Sequence, residues 1–270
     1  MKIGVVTLFP ELIEPSLQVG VIGAALKTGS FELTVVNPRQ FTHDVHKTVD
    51  DRPFGGRDGM LMLGEPLAKS VELAKAAMPD ARVVHLSPRG RLFTDRIARE
   101  WADECRDIIL VSSRYAGVDE RFIEECCDEE LSIGDFVVSG GELPALLVID
   151  AVLRHCPGVL GNSASAEKDS FADGRLESAQ YTRPREWRGR AVPAVLVGGD
   201  PKKIAAFEWL SSMVATIERR PDLAARLGRS KMRLEWKLHS KWLDRDDITV
   251  AKRLQTFEAW LQGGLEEGGR

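Results

Sequence analysis

The sequence predicts an α/β protein, in which a parallel-sheet domain is followed by a smaller, mostly helical one. Three observations predict it. Apolar runs of strand length alternate with helical stretches through the first half of the 270 residues, as expected of strands joined by helical crossovers. Three of those runs end in tight loops containing Gly or Pro, at Ser87–Gly90, Ser113–Gly117 and Ser139–Gly141. The charge is divided, with a balance of −10 over residues 1–180 and +8 over 181–245. A basic module is thus joined to an acidic body.

Taken in order, Ile3–Leu8 reads as a strand, and a turn at Phe9-Pro10 leads into a helix through about Leu26. Phe31–Val36 is a second strand, followed by a polar, Gly-rich loop over residues 37–60. Glu65–Met78 is helical, and Val83–Leu86 is a short strand closing at Ser87–Gly90. Thr94–Cys105 is a helix and Ile108–Ser112 a strand. The apolar run Leu131–Ser139 reads as a further strand, ended by Gly140-Gly141 and followed by a helix over Leu143–Cys156. Residues 162–180 are rich in Ser and Ala and poor in large apolar groups, so they read as a mobile linker. This divides the chain into a domain over 1–161 and a basic helical domain over 181–270. Trp209, Trp236 and Trp242 are expected as packing anchors of the second domain. Val250, Leu254, Phe257 and Leu261 recur at i, i+4, i+7 and i+11, which makes a final amphipathic helix. Gly263 to Arg270 reads as a frayed end.

Composition narrows the function classes. The chain is 43% hydrophobic and 29% charged, as ordinary globular proteins are. No apolar run approaches the ~20 residues that span a bilayer, and the N-terminus lacks a signal-peptide pattern. A cytoplasmic protein with no membrane partner is expected. Cys105, Cys126, Cys127 and Cys156 include no CxxC pair, and the five histidines are scattered, so no metal site is legible.

Open α/β sheets bind ligands at the carboxyl ends of their strands, and glycine lets a backbone approach a flat ligand closely. Each loop alone is more often a mere turn, and no GxGxxG is present. The run Ser132-Ile133-Gly134-Asp135-Phe136-Val137-Val138-Ser139-Gly140-Gly141-Glu142-Leu143-Pro144 is more specific. It closely resembles the SIGDYVLSGGELPA signature of the bacterial tRNA (guanine-N1)-methyltransferases, with Phe136 in place of the tyrosine. Further segments resemble the same family in order: Asp50–Gly56 with Gly59-Met60, Leu86–Arg91, Arg114–Arg121, Asp150–Arg154, Pro157–Gly161 and Tyr181–Pro184.

The resemblance spans about residues 1–220 and identifies the chain as a divergent member of that family, within the knotted SPOUT superfamily. It implies a trefoil-knotted α/β domain, a homodimer and S-adenosylmethionine as methyl donor. The donor would be held around Leu86, Ser87, Pro88, Tyr115, Gly117, Ser132, Ile133, Gly134, Phe136, Val137, Val138, Gly140, Gly141 and Pro144. The resemblance implies guanosine at position 37 of tRNA as the target, with Asp169 as general base at N1 and Arg154 stabilising O6. A carboxylate and a cation suit that reaction, because N1 of guanine holds its proton at neutral pH and negative charge develops at O6. Arg183, Arg185, Lys202, Lys203, Arg219, Arg220, Arg229, Lys231 and Arg233 would track the phosphates of the anticodon stem-loop. Dependence on Mg²⁺ is also implied, though no residue pattern displays a site for it.

The departures lie near the expected chemistry. Ser112-Ser113 replaces Cys-Gly, Ala116 replaces a glutamate, and Arg57-Asp58 interrupts the glycine-rich loop. They leave open a donor-binding paralogue with a changed substrate, or a non-catalytic tRNA-binding relative. A small-molecule α/β enzyme with a regulatory helical domain is the alternative from another class.

Overall fold

The computed structural model describes residues 1–160 and 169–263. The chain divides into two compact units, Met1–Ser163 and Ala164–Arg270. In the first, β1 (Lys2–Val6) is followed by α1 (Pro10–Ile13), α2 (Gly20–Lys27) and β2 (Glu32–Val36). A short ribbon of β3 (Asp50–Asp51) and β4 (Leu61–Met62) precedes α3 (Gly64–Ala77) and β5 (Arg82–Leu92). The unit continues through α4 (Asp95–Glu104), β6 (Ile108–Ser112), α5 (Glu120–Cys126), β7 (Glu129–Ser132) and α6 (Glu142–Leu153).

The main sheet has the order β2-β1-β6-β5-β7, and every pairing in it is parallel. Its strands are apolar because both faces are covered. Ile3, Val5, Leu86, Leu110 and Leu131 face one core, with Trp101, Val148 and Val152 packed onto them. Val6, Val83, Ile109 and Val111 face the other, against Leu67, Val71, Ala74 and Phe122.

Several boundaries differ from expectation. The helix expected from Pro10 to Leu26 breaks into α1, a 3₁₀ turn at Ser16–Gln18 and α2, because Pro15 has no N–H to continue the ladder. The loop over 37–60 contains β3, which pairs Asp50 with Met62 and Asp51 with Leu61. The strand expected to stop at Leu86 runs on to Leu92. Leu86 and Arg91 both pair with Leu131, so Ser87–Gly90 loops out of the ladder as a bulge. The largest correction concerns Leu131–Ser139. β7 ends at Ser132, and the apolar residues beyond it form an irregular crossing that reaches α6.

In the second unit, short strands Glu186–Trp187 and Arg190–Ala191 pair with each other. Helices follow at Ala194–Val197, Pro201–Arg219, Pro221–Arg226, Arg229–His239 and Ile248–Leu261. The long helix and the last one share a core of Phe207, Leu210, Met213, Val250, Leu254 and Phe257. Trp209 is buried there, edge-on to Phe257 at 5.2 Å and stacked with Trp236 at 6.2 Å. Trp242 is only half-buried and lies under the Lys202 ammonium at 4.7 Å.

The expected linker divides. Its residues 162–168 lie outside the described residues, as does the end over 264–270. Residues 169–180 belong to the second unit, where the Leu176 N–H donates to Thr216 Oγ1 at 2.9 Å and the Ala179 N–H to Ser211 Oγ at 3.3 Å.

Candidate active site

β5, β6 and β7 finish at the same edge of the sheet, and a cavity of about 570 Å³ opens beside their carboxyl ends. That volume suits a ligand of nucleoside size or somewhat larger. Three backbone segments wall it: the bulge of β5, the turn after β6, and the crossing from Ser132 to α6.

The turn after β6 is fixed by the β3–β4 ribbon. The Met62 N–H donates to the Gly117 carbonyl at 2.9 Å, and the Ala116 N–H to the Met60 carbonyl at the same distance. The resulting tight loop places Tyr115 at φ +61° and Gly117 at φ +125°. A Cβ on Gly59 would lie 3.3 Å from the Ala116 side chain, so loop and turn meet there closely.

The crossing is anchored from beneath by a buried charged group. Glu142, at the start of α6, is 1% exposed. Its Oε1 accepts from Thr7 Oγ1 at 2.7 Å, and its Oε2 lies 2.9 Å from Arg114 Nη2. The Arg114 guanidinium also covers the ring of Phe9 at 4.5 Å and donates to the Ser139 carbonyl at 3.2 Å. The helix dipole favours a carboxylate at this position. The two glycines let the backbone pass this cluster. A Cβ on Gly141 would stand 2.6 Å from Ser112 Cα, and one on Gly140 would run into Arg114 and stand 2.6 Å from Glu142 Oε2.

Above this floor the crossing holds its apolar side chains open. Phe136 is 54% exposed, Val137 85% and Tyr115 50%. Groups that neither enter a core nor pair in the sheet, yet line a cavity, are suited to clasp a flat apolar surface. Backbone polar groups of the same segments remain to bond its edges.

Charged side chains line the cavity as well. Arg89 makes two hydrogen bonds of 2.7 Å to Glu120. These bonds hold Glu120 below the usual carboxylate range and push Arg89 further up. Both groups are exposed, so the pair adds little to stability. Glu130 Oε2 lies 3.7 Å from Arg89 Nη2, and Glu130 Oε1 is 3.0 Å from Nδ1 of His85. His85 is 3% exposed, and burial pushes its ring below the ordinary histidine value. Arg57 lines the same cavity.

Every residue expected to hold the donor lines this one cavity. The two expected catalytic residues, Arg154 and Asp169, are not among the described residues that line it. Arg154 follows the last turn of α6, where its N–H donates to the Asp150 carbonyl at 3.1 Å. It is therefore roughly 18 Å of helix from the glycines at the other end. Asp169 belongs to the second unit, where its carbonyl accepts from the Ala172 N–H at 3.3 Å. His85, Glu120 and Glu130 were not anticipated as lining residues. A single histidine inside the apolar strand Val83-Val84-His85-Leu86 was the signal that could have found the first. Among the described residues, no group of three or more His, Cys, Asp or Glu is placed to hold a metal ion. No helix there is long and apolar enough to cross a membrane.

The family model described as tRNA (Guanine-1)-methyltransferase TrmD matches residues 1–226. The chain belongs to this family. It is 50% identical to a tRNA (guanine-N(1)-)-methyltransferase of Marinomonas sp. (strain MWYL1), over 84% of this chain and 90% of that one. A protein of the same name from Shewanella amazonensis is 53% identical, over 83% and 89% of the two chains. One from Shewanella sediminis is 51% identical, over 84% and 94%. As a member of this methyltransferase family the chain is an enzyme, and the match takes in the whole cavity and both expected catalytic positions.

Proposed function

We propose that this enzyme transfers a methyl group from S-adenosylmethionine to N1 of the guanosine at position 37 of tRNA, in the cytoplasm and as a homodimer. The observation that carries the reading is the cavity at the ends of β5–β7, which gathers every expected donor residue in a protein of this family. The cavity fits a nucleoside-bearing donor in volume, in its open apolar side chains, and in the buried His85 Nε2, which has no hydrogen-bond partner among the described residues. Leu86, Ser87 and Pro88, then Tyr115 and Gly117, then Ser132–Gly134, Phe136–Val138, Gly140, Gly141 and Pro144 would hold it. When bound, the donor supplies an electrophilic methyl group on sulfonium.

The remaining chemistry falls to the chain. Asp169 removes the N1 proton of guanine, and Arg154 stabilises the negative charge that develops at O6. No step is assigned to Mg²⁺, because the described residues offer it no ligand cluster.

The position of Arg154 supports the homodimer. Leu143, Leu147, Asp150 and Arg154 form an exposed stripe along α6, and Leu143 and Leu147 are 58% and 56% exposed. A second copy packed antiparallel on this stripe would bring its Arg154 to the glycine end, beside the cavity. The trefoil knot is supported by the chain's return from β7, at the sheet edge, to the end of β6, where the Gly141 N–H donates to the Ser113 carbonyl at 3.0 Å. In the second unit, Arg183, Arg185, Lys202, Lys203, Arg219, Arg229, Lys231 and Arg233 are exposed, as phosphate contacts must be; Arg220 is half-exposed and paired with Asp222.

A second reading, a donor-binding paralogue with another substrate, is favoured by Arg57 and Ala116, which make this cavity more positive than the family signature would. Single-turnover transfer from labelled donor separates the two. Label is expected on N1 of a transcript with guanosine at position 37 and none on its adenosine counterpart. Transfer to neither, with donor binding intact, would favour the paralogue. Binding of bulk tRNA is expected to weaken by roughly a hundredfold between about 50 and 200 mM salt, the loss for about four phosphate contacts. A filter-binding titration without salt dependence would remove RNA from the reading.

A further inference from the structure

Among the described residues that line the cavity, His85 and Arg114 each carry a buried side-chain nitrogen without a hydrogen-bond partner, and only that of His85 can be an acceptor. It sits in β5 among Val83, Val84 and Leu86, all of them core residues. The Glu130 carboxylate stands at its Nδ1, 3.0 Å away. A carboxylate there can only accept, so the neutral ring keeps its proton on Nδ1 and a lone pair on Nε2. That Nε2 is buried and finds no hydrogen-bond partner among the described residues. Native proteins rarely leave such an atom without a purpose.

We propose that His85 selects the bound donor: its Nε2 accepts a hydrogen bond from an N–H or O–H of the nucleoside part, so donor affinity depends on His85 remaining neutral. The proposal rests on the donor reading above and adds to it a residue and a pH response. Adenine carries an exocyclic amine and ribose carries hydroxyls. Either is a donor of the kind Nε2 requires, whereas the adenine ring nitrogens are acceptors and would be refused.

Protonation reverses the match. An imidazolium presents N–H at both nitrogens and can no longer accept. It would also add a positive charge to a wall that already carries Arg89. The charges facing the ring are Glu130 on β7, Arg89 on its own strand and Glu120 on α5. Burial outweighs the two carboxylates and holds the ring below its ordinary value of about 6.5. His85 is thus neutral at pH 7. Ligand binding favours the neutral form further, so affinity is full above about 6.5 and is lost as pH falls through the depressed value. Stability has the same sign, because the unfolded chain takes up this proton first.

Calorimetry with S-adenosylhomocysteine tests this without turnover. The wild-type enzyme should bind progressively more weakly as pH falls from about 8 through the depressed value, by about tenfold once the ring is protonated, the loss of one hydrogen bond. His85→Asn keeps an amide donor toward Glu130 but has no atom at the Nε2 position. It should bind about tenfold more weakly at pH 8, with little further change at low pH. His85→Gln, which places an amide group near Nε2 and cannot titrate, should retain affinity and lose the pH response. Analogues lacking the 6-amine, the 2′-hydroxyl or the 3′-hydroxyl identify the partner: the one that binds equally to wild type and His85→Asn lacks the group that His85 accepts from. Thermal melts confirm folding, and if either variant does not fold the wild-type pH profile still decides. Wild-type affinity that stays flat from about pH 8 down to the lowest pH at which the enzyme remains folded, with clear binding throughout, would overturn the role of His85 and leave the donor reading standing. No binding at any pH would overturn the donor reading itself.

Discussion

Asp169→Asn is expected to slow methyl transfer by ~10²–10⁴-fold, the range for loss of a positioned general base. Affinity for S-adenosylhomocysteine should not change, because Asp169 is not among the described residues that line the cavity. The backbone around Asp169 gives the substitution little scope to act by unfolding the segment. The Phe171 N–H donates to the Arg175 carbonyl at 2.6 Å, and the Glu177 N–H to Ser170 Oγ at 3.0 Å. Asparagine keeps the size of the side chain and removes its basicity. Single-turnover rates, measured beside calorimetric binding, give the answer. A variant that turns over within about twofold of wild type would assign the proton to another group.

The second large effect concerns stability. Glu142→Ala should lower the unfolding free energy by about 3–5 kcal/mol, the usual result of removing one partner from a buried ion pair. The Glu142 side chain is 1% exposed and the Arg114 side chain 19%. Their loss of contact would leave a guanidinium over Phe9 with no carboxylate beside it, and Thr7 Oγ1 without its acceptor. Because the same cluster supports Gly140, donor affinity should fall with stability. Glu142→Gln retains an acceptor for Thr7 and should lie between the two. Urea midpoints that coincide for wild type and Glu142→Ala would show that the cluster contributes nothing to the fold.

How far the fold could be read depended on how local its causes are. The sequence predicts Ile108–Ser112 at its observed bounds because a continuous apolar run, buried on both faces, has no competing pattern. The pattern predicts β5 only as far as Leu86, since the residues that carry it to Leu92 include Pro88 and Gly90 and pair only through a shift against Leu131. That pairing is a property of β7, not of the segment itself. The stretch from Ile133 to Val138 looked like a strand because it is apolar. In the structure those side chains serve the cavity, and a positive φ of 151° at Gly134 turns the chain out of the sheet.

The residues that line the cavity were legible because they lie at strand ends and follow the family's order of motifs. Glu142, Thr7 and Arg114 could not be assembled from sequence, since they come from three elements that only the folded sheet brings together. The roles proposed for Asp169 and Arg154 rest on family resemblance and on chemistry.

The parallel order of the sheet has a consequence for how this chain is made. β1 leaves the ribosome well before β6, yet β6 is one of its two neighbours, and Ile3 pairs with Ile108. The Lys2 N–H likewise finds its acceptor at Asp107 Oδ1, 2.6 Å away. A nascent chain that ends before Ile108 can pair β1 with β2 alone and leaves the other side of a buried, apolar strand open. Such an edge can template pairing with another chain, and contacts this distant in sequence form slowly. The interval between the emergence of β1 and that of β6 is therefore one in which this enzyme is exposed to aggregation, and emergence of β6 ends it.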